Sequence, residues 1–169
     1  MLAWAHGAPI SSAMPYGDIA LPLIFGPVLI AALAFTVRAA LSWLRLRGEA
    51  EEDYGYRAQN GMVPAGVDRE AYLSTYCRVN APRLAAHAAA ALWAVLIATP
   101  VIAMVLEFLL EQLWQATGQS RVFEPGYLVW AFFIFFGLMG AWAAIAWVVA
   151  RHYHRHAPPR FEDALRDAA

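Results

Sequence analysis

The sequence predicts an all-α integral membrane protein with three transmembrane helices, and three observations lead to that prediction. Of the 169 residues, 61% are hydrophobic and only 15% are charged, and the mean hydropathy is +0.47. A soluble core of this size could not bury so much apolar surface. Three long apolar stretches divide the chain, and its arginines fall almost entirely in two of the flanking segments.

The arginines also predict the orientation of the chain. Seven surround or occupy the first connection and four follow the third apolar stretch, whereas the second connection has Arg121 alone and the N-terminal tail has none. Membrane insertion keeps arginine on the cytoplasmic side. We therefore expect the N-terminus and second loop outside, and the first loop and C-terminus in the cytoplasm. The external tail, residues 1–18, lacks the positive start of a signal peptide, so we expect the first span to be retained.

The first helix is predicted over residues 19–47. Its apolar part, 19–37, is long enough to cross a hydrocarbon core of about 30 Å. The apolar pattern continues past Arg38, which predicts a cytoplasmic extension of the helix. Pro22 and Pro27 lie in the outer half, and because proline removes a backbone donor, we expect a kink or a broken start there.

A cytoplasmic loop is predicted over residues 48–81. Gly55 and Gly61 belong to a stretch that disfavours regular structure. A short amphipathic helix is expected after that stretch, with Asp68 as its N-cap. Its apolar face is formed by Tyr72, Leu73 and Tyr76. We expect this face to lie on the membrane surface or against a partner.

Two further helices complete the single membrane domain predicted for residues 1–169. The segments are the second helix over 82–114, an external loop over 115–126, the third helix over 127–153 and a cytoplasmic tail over 154–169. Pro82 opens the second helix, because proline is tolerated in the first helical turn, and Pro100 is expected to bend it. One or two more amphipathic turns are expected after Pro159.

Small residues predict a helix-packing face on the third span. Gly137 with Ala141 and Gly140 with Ala144 form two small-xxx-small pairs, and small side chains let helices approach closely in lipid. We expect this face to pack against the second span or against another subunit. Trp142 lies deeper than the tryptophans that fit an interfacial belt, so we expect it at a helix contact.

Histidines provide two candidate sites. His87 lies one turn inside the second span and is a candidate haem ligand or quinone contact, as histidines are in the membrane anchors of succinate dehydrogenase. His152, His154 and His156 alternate at the end of the third span. The first and last of these would share a helix face at a spacing that suits a metal ion, but the interleaved arginines oppose a cation. A polar helix terminus is the simpler interpretation.

A pair of carboxylates forms the third candidate site. Glu107 and Glu111 lie one helical turn apart near the outer end of the second span. Paired carboxylates can bind a metal ion or relay protons, and ionisable residues in membrane segments are functional candidates. In a homo-oligomeric membrane enzyme or transporter they would line a shared site. Solvation at the interface, or pairing with Arg121, is the simpler interpretation.

The sequence contains no familiar catalytic motif. It has no Gly-rich phosphate loop, Cys-x-x-Cys pair, Ser-centred elbow or His-Glu-x-x-His motif, and no nucleic-acid-binding motif. Cys77 is the single cysteine, so an internal disulfide is excluded and a structural role is expected. Nothing in the sequence requires a cofactor.

By elimination, the sequence predicts a non-catalytic accessory subunit of a larger complex in the bacterial inner membrane. A respiratory or other energy-transducing complex, engaged in electron transport, is the leading hypothesis. The expected partners are other integral membrane subunits and the lipid bilayer. The alternatives are a haem- or quinone-binding anchor subunit that uses His87, and a small homo-oligomeric enzyme or transporter.

Overall fold

The chain is helical through the part that the structure describes. The computed structural model gives the backbone of residues 16–169 and the side chains of residues 25–169, so most of the predicted external tail lies outside the described residues. The helices are α1 (Tyr16–Gln59), α2 (Arg69–Val79), α3 (Arg83–Ala116), α4 (Leu128–Arg155) and α5 (Phe161–Arg166), with a 3-10 turn at Arg121–Phe123. α1, α3 and α4 are long and apolar enough to cross a membrane. The prediction of three helices that could span a membrane is confirmed.

α1 does not stop at the predicted boundary after Arg47. It continues through Gly48 and Gly55 to Gln59, and its 44 residues correspond to about 66 Å, roughly twice the thickness of a hydrocarbon core. Tertiary packing overrides the low helix propensity of glycine here, because Ala50 is fully buried within the extension. The helix also runs without interruption through positions 22 and 27, so the broken start expected there is not found.

α3 is the central span. α1 and α4 each pack along α3, and within residues 25–169 α1 and α4 do not approach each other closely. On α1, Ala32, Ala39 and Leu46 are buried at heptad spacing, and Ala85 and Ala89 are buried on α3. The three spans therefore form an open row with two long outer faces, one on α1 and one on α4.

The end of α1, α2 and α5 form a small unit, which we call the helical module. Its core consists of Val67, Tyr72 and Leu165, surrounded by Tyr54, Val63, Ala71, Tyr76 and Phe161. The rings of Tyr54 and Phe161 meet the Tyr72 ring edge to face, with centroids 5.2 and 5.5 Å away. The apolar face of α2 thus packs against other helices of its own chain. This is neither of the two settings predicted for it, because the contacts with α1 and α5 join residues that are far apart in the chain.

Polar contacts hold the helical module together around Asp53. The hydroxyl of Tyr72 donates to Oδ2 of Asp53, and Nε of Arg57 lies 3.2 Å from the same oxygen. The guanidinium of Arg57 also lies 5.2 Å from the centroid of the Phe161 ring, a cation–π contact with α5. Asp68 is the N-cap of α2, as predicted, and its Oδ1 accepts from the N–H of Ala71 at 2.7 Å.

Candidate functional site

The candidate residues gather at one end of the row of spans, which we call the arginine-rich end. Here α1 leaves the row, α3 begins and α4 ends. The histidines predicted as two separate sites, His87 on α3 and the three near the end of α4, all lie at this end. The antiparallel order of α3 and α4 produces this meeting, because the first turns of α3 lie beside the last turns of α4.

Arg83 connects the start of α3 to the end of α4 by a hydrogen bond and a cation–π contact. Its Nη2 donates to the carbonyl oxygen of Tyr153 at 2.7 Å, and its guanidinium lies 4.9 Å from the centroid of the Tyr153 ring. The last four carbonyls of an α-helix have no partner within the helix, and Tyr153 is in the last turn of α4, which ends at Arg155. Arg83 therefore caps α4 from the first residue of α3.

His87 packs between the start of α3 and the end of α4. Its Nδ1 lies 2.7 Å from the carbonyl oxygen of Arg83. A carbonyl can only accept, so Nδ1 carries the proton and Nε2 remains an acceptor in the neutral ring. The ring centroid lies 5.6 Å from that of His152 and 5.4 Å from that of Tyr153. Contacts within the chain thus account for Nδ1 and for the ring of His87, and Nε2 is the atom available to a ligand.

An open groove lies beside His87 and His152. It has a volume of about 380 Å³. Its other walls are Ala86, Ala90, Val148 and Val149. The groove is apolar apart from the two imidazoles, so it could accept a flat ring with one polar edge.

The histidines near the end of α4 contact one another, the helix backbone and Tyr153. The rings of His152 and His156 share a face, as predicted, with centroids 4.2 Å apart. The Nδ1 of His156 lies 3.0 Å from the carbonyl oxygen of His152, and His154 lies against Tyr153. Among residues 25–169, no three His, Cys, Asp or Glu side chains are placed to hold a metal ion. The structure therefore gives the metal interpretation no support.

An open groove of about 600 Å³ lies between α1, α3 and the end of α4 at the arginine-rich end. We call it the Arg38–Arg83 groove. Its polar lining is Arg38, Ser42, Arg83 and His154, and its apolar walls include Phe35, Leu84 and Tyr153. No Asp or Glu of the described residues lines it. The sequence did not predict this groove, because it forms only where three segments that are distant in the chain meet. Arg38 and Arg83 both belong to the seven arginines around the first connection.

The carboxylate pair lies at the opposite end of the row. Glu107 is exposed and Glu111 is half-buried, and Oε1 of Glu111 accepts from Nε2 of Gln115 at 2.9 Å. None of the ion pairs within residues 25–169 involves Arg121, so the expected pairing is not found. The two glutamates line one shallow depression together with Met104, Phe108, Pro125 and Trp130. Solvation therefore accounts for Glu107, and the hydrogen bond with Gln115 within α3 accounts for Glu111.

The predicted small-residue face of α4 is divided in two. A Cβ placed on Gly137 would lie 2.6 Å from Cδ1 of Leu106, so Gly137 is where α3 approaches α4 most tightly among the glycines described. Ala141 is half-buried on the same side. Gly140 and Ala144 are exposed, and a Cβ on Gly140 would meet nothing within 4 Å. One pair therefore packs within the chain, and the other faces outward.

Two tryptophans form hydrogen bonds between the spans. Nε1 of Trp93 on α3 donates to Oγ1 of Thr36 on α1 at 3.1 Å, and Nε1 of Trp142 on α4 donates to Oγ1 of Thr99 on α3 at 2.9 Å. Each threonine hydroxyl in turn donates to a carbonyl one turn back in its own helix. Trp142 thus lies at a helix contact, as predicted, whereas the contact of Trp93 with Thr36 was not foreseen.

No family model, curated protein or solved structure matches this chain.

Proposed function

We propose that this chain is a non-catalytic accessory subunit of a larger complex in the bacterial inner membrane. The observation that carries the proposal is the open row of spans. α4 has no fully buried residue, and on its outer side Gly140 and Ala144 are small exposed positions between the large exposed side chains of Phe136 and Trp147. Small residues allow a neighbouring helix to come close. The outer face of α4 is thus shaped for another subunit.

The polar contacts in the spans are structural in character. The side chains that link α1 to α3 and α3 to α4 are the Trp–Thr pairs, which are neutral and mutually hydrogen-bonded. Ionisable groups lie at the two ends of the row, at the level of Arg38 and Arg83 or of Glu107 and Glu111. This distribution favours a subunit that supports its neighbours. The parent complex we propose is a respiratory or other energy-transducing one, with the arginine-rich end in the cytoplasm.

The test begins with gentle detergent extraction from the native membrane, followed by native electrophoresis and mass spectrometry of the proteins that migrate with this chain. We expect stoichiometric recovery with large membrane subunits. Ala144→Leu should release this chain from them, because a leucine would hold the neighbouring helix away. Migration alone as a small homo-oligomer would overturn the proposal and redirect attention to Glu107 and Glu111.

The matched control is Ala146→Leu. Ala146 is also exposed on α4, and it lies about 200° around the helix from Ala144 at 3.6 residues per turn. The Ala146→Leu substitution should leave co-purification with the other subunits unchanged. Ala141→Leu is unsuitable for this test, because Ala141 is half-buried on the side of Gly137. Equal loss of partners in the Ala144 and Ala146 variants would show that the Gly140–Ala144 face is not the interface.

The groove beside His87 and His152 supports a second candidate function, a haem- or quinone-binding anchor subunit. The centroids of the two imidazoles lie 5.6 Å apart next to an apolar groove, and the contact of Nδ1 of His87 with the carbonyl of Arg83 leaves Nε2 for a ligand. A haem bound there would give a Soret band in the purified protein that His87→Ala removes. A Soret band that survives His87→Ala, or no haem and no quinone in the native extract, would exclude this site.

A further inference from the structure

We propose that the Arg38–Arg83 groove binds the headgroup of an anionic phospholipid, with an acyl chain lying along α1. This site is separate from the proposed subunit interface on α4, and it needs no partner subunit. It is formed by residues of all three spans at the level where their apolar segments end.

The lining of the Arg38–Arg83 groove is positively charged. Arg38, Arg83 and His154 line the groove, and no carboxylate of the described residues lies in its wall. None of the ion pairs within residues 25–169 uses Arg38 or Arg83. Arg83 gives one N–H to the carbonyl of Tyr153, which leaves other donors of its guanidinium free. A phosphodiester supplies the acceptor oxygens and the negative charge that this lining lacks.

The start of α3 adds backbone donors to the same groove. Pro82, the N-cap of α3, makes no side-chain hydrogen bond to the first turn. The N–H groups of Leu84 and Ala85 find no backbone carbonyl within the described residues, and both residues line the groove. The positive end of a 34-residue helix therefore points into a site that already contains two guanidinium groups.

The shape of the surface distinguishes a lipid from a free phosphate ion. A second groove, of about 640 Å³, runs along α1 and shares Arg38 and Ser42 with the first. Towards the apolar part of the span it is lined by Leu33, Ala34 and Val37. A free phosphate ion would make no favourable contact with these apolar side chains. A phospholipid would place its phosphate between the arginines and an acyl chain against these side chains.

The proposal can be tested on the purified full-length protein by native mass spectrometry in the presence of phosphatidylglycerol or phosphatidylcholine. We expect phosphatidylglycerol to be retained in preference. Arg38→Gln should lower that preference by about fivefold, the loss expected for one arginine near the membrane surface. Because Arg38 makes no ion pair within the described residues, the substitution should leave the fold intact, which its thermal melting would verify.

Arg47→Gln is the matched control. Arg47 is also exposed on α1, but it lines neither groove, so this variant should retain phosphatidylglycerol as the wild type does. Equal losses in both variants would show that diffuse charge, not the groove, selects the lipid. Equal retention of the two lipids by the wild type would also overturn the proposal, as would displacement of the bound lipid by inorganic phosphate. None of these results depends on whether the chain co-purifies with other subunits.

Discussion

Tyr72 connects all three helices of the helical module. It projects from α2, its ring meets Tyr54 of α1 and Phe161 of α5, and its hydroxyl donates to Asp53. Its side chain is fully buried. Burial, and secondly the hydrogen bond to Asp53, raise the pKa of Tyr72 above its ordinary value. The proton on this hydroxyl is therefore linked to folding.

The sign of that linkage leads to a prediction for alkaline pH. A tyrosine with a raised pKa in the folded state stabilises the fold fully below its ordinary pKa of about 10, and this stabilisation is lost as the pH rises beyond that value. We expect the melting temperature of the wild type to fall above about pH 10, and Tyr72→Phe to reduce that fall. At neutral pH the variant should be less stable by about 1 kcal/mol, the usual contribution of one hydrogen bond.

Thermal unfolding followed by near-ultraviolet circular dichroism across pH would measure the effect. Tyr56→Phe is the control, because Tyr56 lies on the end of α1 that belongs to the helical module but is 62% exposed. Part of the alkaline fall should survive in Tyr72→Phe, since burial also raises the pKa of Tyr76. An identical alkaline fall in the Tyr72 and Tyr56 variants would contradict the linkage.

At the scale of the helices, α4 presents two different sides to its surroundings. The side of Gly137 meets α3 so closely that Leu106 occupies the space of a Cβ, whereas the side of Gly140 meets nothing. Both glycines lie inside the same helix, and replacing either by alanine changes helix propensity in the same direction. The difference in stability between the two alanine variants therefore reports the effect of close packing, because the change in helix propensity is common to both.

We expect Gly137→Ala to be less stable than Gly140→Ala by about 1 kcal/mol, the lower range for overfilling a packed contact. The cost is modest, because the obstructing atom is the end of a flexible leucine side chain. Unfolding of the purified protein by increasing fractions of SDS would measure the difference. Equal stability of the two alanine variants would show that the approach of α3 to α4 at Leu106 has no energetic weight.

Local sequence patterns predicted the three spans. They did not predict the helical module or the Arg38–Arg83 groove, because both form from residues that are distant in the chain. Apolar runs reveal α1, α3 and α4, and Asp68 reveals the start of α2, because these signals are contained in a few neighbouring residues. Gly55 predicted a break, but contacts from distant residues keep it helical. The Arg83–Tyr153 hydrogen bond joins residues 70 positions apart, and no periodicity relates residues at that separation. The same reason hid the meeting of His87 with His152.

At the scale of the whole molecule, the arginines give the row of spans two unlike ends. Arg83, Arg151 and Arg155 lie at one end with the helical module, and Arg121 lies at the other. The positive-inside tendency predicts that the module lies in the cytoplasm. Single-cysteine labelling can test this orientation in a Cys77→Ser background, because Cys77 is the only native cysteine.

Ala58→Cys and Gln115→Cys are suitable probes, since both positions are exposed and they lie at opposite ends of the row. In spheroplasts of an expressing bacterium, a membrane-impermeant maleimide should label the residue-115 probe directly. It should label the residue-58 probe only after permeabilisation. The reverse pattern would show that the arginine-rich end faces outward, and labelling of both probes in spheroplasts would show that they lie on one side.

The composition of the module core sets an order of events during biosynthesis. The spans can pair as they emerge, because α3 contacts α1 first and α4 afterwards, each being its neighbour in the chain. Tyr72 emerges early, but Phe161 and Leu165, which cover it, follow all three spans. The helical module therefore closes only once the last span has been made. A chain that stalls earlier leaves an open aromatic surface that chaperones and proteases can distinguish from the finished protein.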